Sequence, residues 1–199
     1  MQDVARGIGL DGRIGAKFLH AGPGYGGSCF PKDTLALLKT ADDNDAPQRI
    51  VEAVVAVNDH RKRAMGRKVI HAMGDDVRGK TVAVLGLTFK PNTDDMRDSP
   101  AIAIIQTLQD AGATIRAFDP EGTEQAKLVL DNVTYCTDAY DAMQGAGAVV
   151  IATEWDAFRA LDLPRVKSLL TDPVIVDLRN IYPRDHVEAA GFTYHGVGR

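Results

Sequence analysis

The segment Ala21-Gly22-Pro23-Gly24-Tyr25-Gly26-Gly27-Ser28-Cys29-Phe30-Pro31-Lys32-Asp33 sets a thiol, an amine and a carboxyl close together. A thiolate is a nucleophile, and a neighbouring carboxylate can take a proton or orient a water. Gly22, Gly24, Gly26 and Gly27 lie too densely for a helix or strand interior, and they allow positive φ and close backbone approach. Pro31 suits a first helical turn, which Thr34, Leu35, Leu37 and Leu38 continue. Cys29 therefore precedes a helix N-terminus, where free N–H groups and the helix dipole favour an anion. With the charge of Lys32 beside it, the thiol is expected to ionise below its reference value of about 8.5. Asp33 lies four residues on, so it shares a helix face with Cys29. Cys29 is thus a candidate nucleophile and Asp33 a candidate proton-handling group. The plainer alternative is a small buried cysteine beside an ordinary first-turn acid. Lys32 speaks against it, because a cation in a first turn opposes the dipole without local benefit. Cys136 ends a short apolar run and reads as core.

The surrounding elements change character near residues 74–80. Before that point one long helix runs from about Pro47 to Met73, through Ile50, Val51, Val54, Val55 and Asn58, with Gly74 as its stop. Its second half carries Arg61, Lys62, Arg63, Arg67 and Lys68 and reads as a solvated face with cations near the negative end. After the change, apolar strands alternate with helices. Strands are expected at 81–87, 114–118, 133–136, 148–153, 174–178 and 192–195. Helices are expected at 101–111, 123–130, 138–144, 163–170 and 184–190, with Ser99-Pro100 as the cap of the first. This alternation implies an α/β fold: a helical N-terminal segment (1–75), then a doubly wound, mostly parallel open sheet (76–199, Rossmann-like). Ligands of such sheets sit beyond the carboxyl ends of the strands. Here those ends fall at 86–97, Asp119, 153–156 and 179–182.

G-x-G-x-x-G occurs at Gly7–Gly12 and at Gly22–Gly27, yet neither match follows a convincing buried strand. Both are rejected as nicotinamide fingerprints, and the strand-turn-helix at 82–101 carries only Gly86 at its turn. The 199 residues, 45% apolar and 25% charged with net charge −4, exclude a disordered or fibrous chain and a bulk basic surface for nucleic acid. No apolar run approaches the roughly 18 residues of a membrane span. Asp3 stands early in an N-terminus without an apolar core, so no signal peptide is expected. Two cysteines make no disulfide framework, and a cytoplasmic setting is expected. The five histidines lack metal-ligand spacing, and Asp94, Asp95 and Asp98 read as turn and cap residues.

The stretch Gly24–Asp33 resembles the active-site motif of the nucleotide-sugar 6-dehydrogenase family, in its UDP-glucose branch. Further matching segments follow in order: Arg13-Ile14-Gly15 with Lys17-Phe18-Leu19, Asn58-Asp59, the run from Gly86 through Phe89-Lys90-Pro91-Asn92-Thr93-Asp94-Asp95-Met96-Arg97-Asp98 to Ser99-Pro100, and Asp177-Leu178-Arg179-Asn180. The resemblance implies that the chain corresponds to the end of a central helical part and the whole of a nucleotide-sugar-binding part. An N-terminal NAD-binding domain would be missing, so the chain alone is expected to be inactive. It implies an oxidation of a sugar C6 alcohol to a carboxylate with two NAD, through a thiohemiacetal and a thioester on Cys29. Asp33 would assist water or proton transfer, and Lys32 and Arg97 would contact NAD. Phe89, Lys90 and Arg179 would bind the UDP-sugar, whose site the loop with His20, Gly22, Gly24, Tyr25 and Gly26 would line. Arg13 would reach the substrate of a second subunit in a homodimer built on the central helix. Ser28 before the cysteine resembles the UDP-glucose branch, and GDP-mannose or another nucleotide sugar is the alternative. Two other classes remain: a nucleotide-sugar-binding module without catalysis, and a cysteine hydrolase or transferase. The last would need His20 as base, and the place of His20 before four glycines counts against it.

Overall fold

The computed structural model describes residues 2–198. Three helices open the chain: α1 (Gln2–Gly9), α2 (Phe30–Asp43) and α3 (Arg49–Ala72). The alternating part follows as β1 (Thr81–Leu85), α4 (Pro100–Asp110), β2 (Thr114–Phe118), α5 (Thr123–Ala126), β3 (Val133–Tyr135), α6 (Ala139–Met143), β4 (Ala148–Ile151), α7 (Asp156–Arg159), α8 (Leu163–Leu169), β5 (Val174–Asp177), α9 (Arg184–Ala189) and β6 (Thr193–Gly196). All strands pair in parallel, in the order β3-β2-β1-β4-β5-β6. The sheet is therefore open and doubly wound, as the alternation implied, and parallel throughout. Its strand order reverses between β1 and β4, which opens a crevice beyond their carboxyl ends.

The strands read as continuous apolar runs because both faces are covered. Val82 and Val84 point into one core with Val69, Ile104, Leu108 and Val150, under α3 and α4. Ala83 and Leu85 point the other way, to Phe158, Val166, Ile175 and Val187 under the later helices. Ser99 caps α4 as its position suggested: its hydroxyl accepts from Ala101 N–H and donates to the Leu87 carbonyl at 2.6 Å. The helices α3 and α4 cross closely at Gly66, where a Cβ would stand 2.6 Å from Thr107 Cβ. Cys136 is buried, and desolvation pushes its thiol up, consistent with a core residue. Among the described residues no helix is long and apolar enough to cross a membrane.

Two helices, α1 and α7, were not read from the sequence. Gly7 and Gly9 hide the first, and the second is one turn long. The N-terminal helices leave Val4, Ile8, Leu35, Leu37 and Ile50 exposed, as is Phe18 between α1 and α2, so the two cores belong to residues 69–197. The basic half of α3 is only partly a solvated face. Arg63 and Arg67 are exposed, but Lys62 is 8% exposed and Arg61 half-buried, because they lie on the same side as Asn58, toward the rest of the molecule.

Candidate active site around the cysteine loop

The glycine-rich loop crosses between α3 and the loop that leaves β1. Gly24 adopts φ +134°, and a Cβ there would stand 2.8 Å from Asn58 Oδ1. Asn58 holds both main-chain groups of Tyr25: Oδ1 accepts from Tyr25 N–H at 2.8 Å, and Nδ2 donates to the Tyr25 carbonyl at 3.1 Å. Arg61 Nε donates to the Gly22 carbonyl at 2.8 Å. Gly27, at φ +87°, packs against the Phe89 ring, where a Cβ would stand 2.7 Å from Cε2, and donates its N–H to the Arg97 carbonyl at 2.8 Å. At Gly26 a Cβ would meet the Asp98 carbonyl oxygen at 2.3 Å. Only glycine fits that approach. Gly26→Ala is therefore expected to lower stability by about 1–3 kcal/mol through a forced backbone shift. Gly7→Ala, inside α1 with nothing within 4 Å of the added methyl, is expected to raise it by about 0.5–1 kcal/mol. Thermal melts of the two variants check the contrast.

The loop delivers Cys29 as the N-cap of α2, with its side chain exposed and making no capping hydrogen bond. Its Sγ lies 3.7 Å from Ser28 Oγ, and its carbonyl accepts from Asp33 N–H at 2.8 Å. Lys32 takes Asp33 as its nearest partner, at 2.9 Å, rather than the thiol. Lys32 is held above its ordinary value first by Asp33 and last by the charge of Cys29. Arg97 grips Asp95 with Nε at 2.9 Å and Nη2 at 2.8 Å; it is raised first by Asp95 and last by Cys29. Both cations thus lie within electrostatic reach of the sulfur, each already paired with a carboxylate.

The second half of the site sits at the carboxyl ends of the strands. Arg179 follows β5, and Asp177 fixes its backbone: Oδ1 accepts from Arg179 N–H, and Oδ2 from Tyr182 N–H and the Tyr194 hydroxyl. The Arg179 guanidinium donates from Nε to the Ala152 carbonyl (2.9 Å) and from Nη2 to the Phe89 carbonyl (3.3 Å). Glu154 Oε2 stands 3.0 Å from Nε as an ion pair, although the Nε hydrogen points at Ala152. Burial pushes the guanidinium down and Glu154 partly opposes this. Nη1 faces Gly22, where a Cβ would come within 3.0 Å. Two clefts flank this contact. One, of about 420 Å³, is lined by Arg6, Leu10, His20, Ala21, Arg179 and Asn180. The other, of about 470 Å³, is lined by His20, Gly24, Tyr25, Arg61 and Arg179 among others. Lys90 is exposed, with its ammonium 5.3 Å above the Phe89 ring.

The structure brings together most of the residues singled out in the sequence. His20, Gly22, Gly24, Tyr25 and Arg179 share the clefts, and Gly26, Phe89 and Arg97 form the seam under the cysteine loop. Cys29, Lys32 and Asp33 line neither cleft and stand exposed beyond the seam. Arg13 stands apart, exposed and gripping Asp11 with Nε at 3.0 Å and Nη2 at 2.6 Å. Arg61 and Lys62 were missed as parts of the site, and Glu154 entered only within the strand end 153–156. The spacing of Asn58, Arg61 and Lys62 at i, i+3 and i+4 was the available signal, since it puts three polar side chains on one helix face.

Comparison with known proteins matches this arrangement twice, in order. Residues 1–60 match the central domain of the UDP-glucose/GDP-mannose dehydrogenase family, and residues 83–184 match that family's UDP binding domain. The chain is 66% identical over 199 residues to a UDP-glucose 6-dehydrogenase of Rhizobium meliloti (strain 1021), covering all of this chain and 46% of the relative. It is 47% identical over 197 residues to the UDP-glucose 6-dehydrogenase TuaD of Bacillus subtilis (strain 168), covering 98% of this chain and 42% of that one. Among solved structures, a UDP-glucose dehydrogenase from Pyrobaculum islandicum superposes with a TM-score of 0.83 at 36% identity, over 98% of this chain and 43% of the other. The chain therefore spans a little under half the length of these relatives. With one family model covering more than half of its residues and a second covering the segment before, the chain belongs to the UDP-glucose/GDP-mannose dehydrogenase family.

Proposed function

We propose that this chain is the substrate-side half of an NAD-dependent UDP-glucose 6-dehydrogenase, with Cys29 as its nucleophile. The observation that carries this reading is the seam: the loop bearing an exposed thiol docks on Phe89, beside the Arg179 clefts at the carboxyl edge of the sheet. Residues 1–75 would form the cysteine-bearing end of the central part and residues 76–199 the nucleotide-sugar-binding part.

Does the sheet itself fit NAD? It does not. Gly86, the glycine of the first turn, is filled by packing, since a Cβ there would stand 2.5 Å from Thr153 Cβ. Asp119, at the end of β2 where a dinucleotide sheet can offer a ribose acceptor, is 2% exposed and already accepts from Leu87, Thr88, Glu121, Gly122 and Trp155. Lys32 and Arg97, both exposed, would contact NAD held elsewhere. When bound, NAD accepts hydride from C6.

The chain's own groups supply the rest. Arg179 and Lys90 would hold the diphosphate, and the clefts around Tyr25 and His20 would hold the nucleotide-sugar. The Cys29 thiolate adds to the C6 aldehyde and gives a thiohemiacetal, which keeps the aldehyde on the protein. Loss of a second hydride leaves a thioester. Water, its proton taken by Asp33, hydrolyses the thioester to the carboxylate and frees the thiolate. Arg13 would reach the site of a second copy in a homodimer built on α3, away from its own cleft. Two free thiols suit a cytoplasmic setting.

A chimera in which this chain replaces the matching part of the Rhizobium meliloti relative tests the proposal. It is expected to release two NADH per UDP-glucose consumed and to leave GDP-mannose unoxidised. Absence of NADH from UDP-glucose overturns the reading, and oxidation of GDP-mannose alone reassigns the substrate.

A further inference from the structure

The buried polar face of α3 is unexplained by the reaction just described. Asn58 is 6% exposed and Lys62 is 8% exposed, one turn apart. An ammonium is costly to bury without compensating partners. Among the described residues Lys62 Nζ donates to one backbone acceptor, the Asp98 carbonyl, at 3.1 Å. Asp98 adopts φ +50°, and its carbonyl oxygen is the same atom that leaves no room for a side chain at Gly26. Lys62 also packs its stem against Gly24, 3.1 Å from where a Cβ would stand. Asn58 meanwhile closes on both main-chain groups of Tyr25. One helix face therefore grips the cysteine loop at Gly24–Tyr25 and the loop after β1 at Asp98, and the two loops meet between these grips at Gly26 and Gly27.

We propose that Asn58 and Lys62 are positioning residues: together they fix the backbone that aims Cys29 at the sugar bound beside Phe89. This rests on the reading of Cys29 as nucleophile. Cys29 follows Gly27 by two residues, so play at the seam becomes misplacement of the sulfur. A displacement of about 1 Å can cost about 10²-fold in rate. Lys62 holds the Asp98 side of the seam, so its loss is expected mainly in kcat, whereas loss of Asn58 also loosens the Tyr25 cleft and is expected to raise KM as well.

Two measurements test the proposal. In the 199-residue chain, Asn58→Ala and Lys62→Met are expected to speed amide exchange at Tyr25 and Gly27 by about tenfold or more while β1 and β4 keep their protection. In the chimera, Lys62→Met is expected to lower kcat by about tenfold or more with KM held within about threefold, and Lys62→Arg to restore most of the loss. Unchanged loop exchange, an unchanged kcat, or a Lys62→Arg variant as slow as Lys62→Met overturns it. Should Asn58→Ala fail to fold, the Lys62 pair decides alone. Should the unmodified chimera make no NADH, the functional reading falls, and loop exchange in the chain still decides the positioning role.

Discussion

Cys29→Ser is expected to abolish formation of the sugar carboxylate in the chimera, by about 10³-fold or more. The substitution keeps size and a hydroxyl in place of the thiol, but an alcohol is far less acidic than a thiol, and the nearby carboxylates Asp33 and Asp95 are paired with Lys32 and Arg97 rather than with residue 29. The groups near the sulfur are cations and their acids: Lys32 with Asp33, and Arg97 with Asp95. Cations favour an anion that forms readily, as a thiolate does, and do nothing to pull a proton from an alcohol. The fold should not register the change. Cys29 is exposed, caps α2 through its backbone alone, and among the described residues its side chain makes one hydrogen-bonding contact, with Ser28 at 3.7 Å. A surface change of this kind moves stability by about 0.5 kcal/mol at most. Chromatographic assay of the carboxylate, with a thermal melt beside it, separates the two effects. A Cys29→Ser chimera that still forms product at more than a few per cent of the parent rate removes the cysteine from the mechanism.

The local part of this site was legible in the sequence, and the distant part was not. Glycine density, a proline at the first turn and a cysteine before it define a loop-to-helix junction whatever lies around it. The strands were legible for a similar reason: β-branched runs such as Thr81–Leu85 and Val174–Asp177 end at glycine, proline or aspartate. Lys62 was not, because its carbonyl acceptor belongs to Asp98, in a separate loop beyond β1. A helix with five cations in eight residues (61–68) reads as solvated until the partner of each is known. Lys32 was assigned to the thiol on sequence distance, yet side-chain geometry pairs it with Asp33. Gly27 and Phe89, 62 residues apart, come together only in the folded chain, a meeting that no local pattern encodes.

The same dependence on distant partners gives Asp119 the largest expected effect on stability. Its Oδ2 accepts from Leu87 N–H at 2.6 Å, Thr88 N–H at 3.1 Å, the Thr88 hydroxyl at 3.2 Å and Trp155 Nε1 at 3.2 Å. Its Oδ1 accepts from Glu121 N–H at 3.0 Å and Gly122 N–H at 2.7 Å. One carboxylate thus ties the ends of β1, β2 and β4 together. Leu87 is 0% exposed and Thr88 1%, so after Asp119→Ala their N–H groups cannot turn to water. Each stranded donor costs about 1–3 kcal/mol, and loss of the network as a whole about 4 kcal/mol. For a chain of this length that corresponds to a fall of about 10 °C in melting temperature. Asp119→Asn should fall between parent and alanine, because its amide keeps one acceptor and turns N–H against N–H on the other side. The loss should reach the site as well, since Leu87 and Thr88 begin the loop that carries Phe89 and Lys90. UDP binding measured by calorimetry well below the melting point is therefore expected to weaken in Asp119→Asn. A melting point within about 3 °C of the parent in Asp119→Ala would show that water or a rearranged loop replaces the carboxylate, and that the crevice does not depend on it.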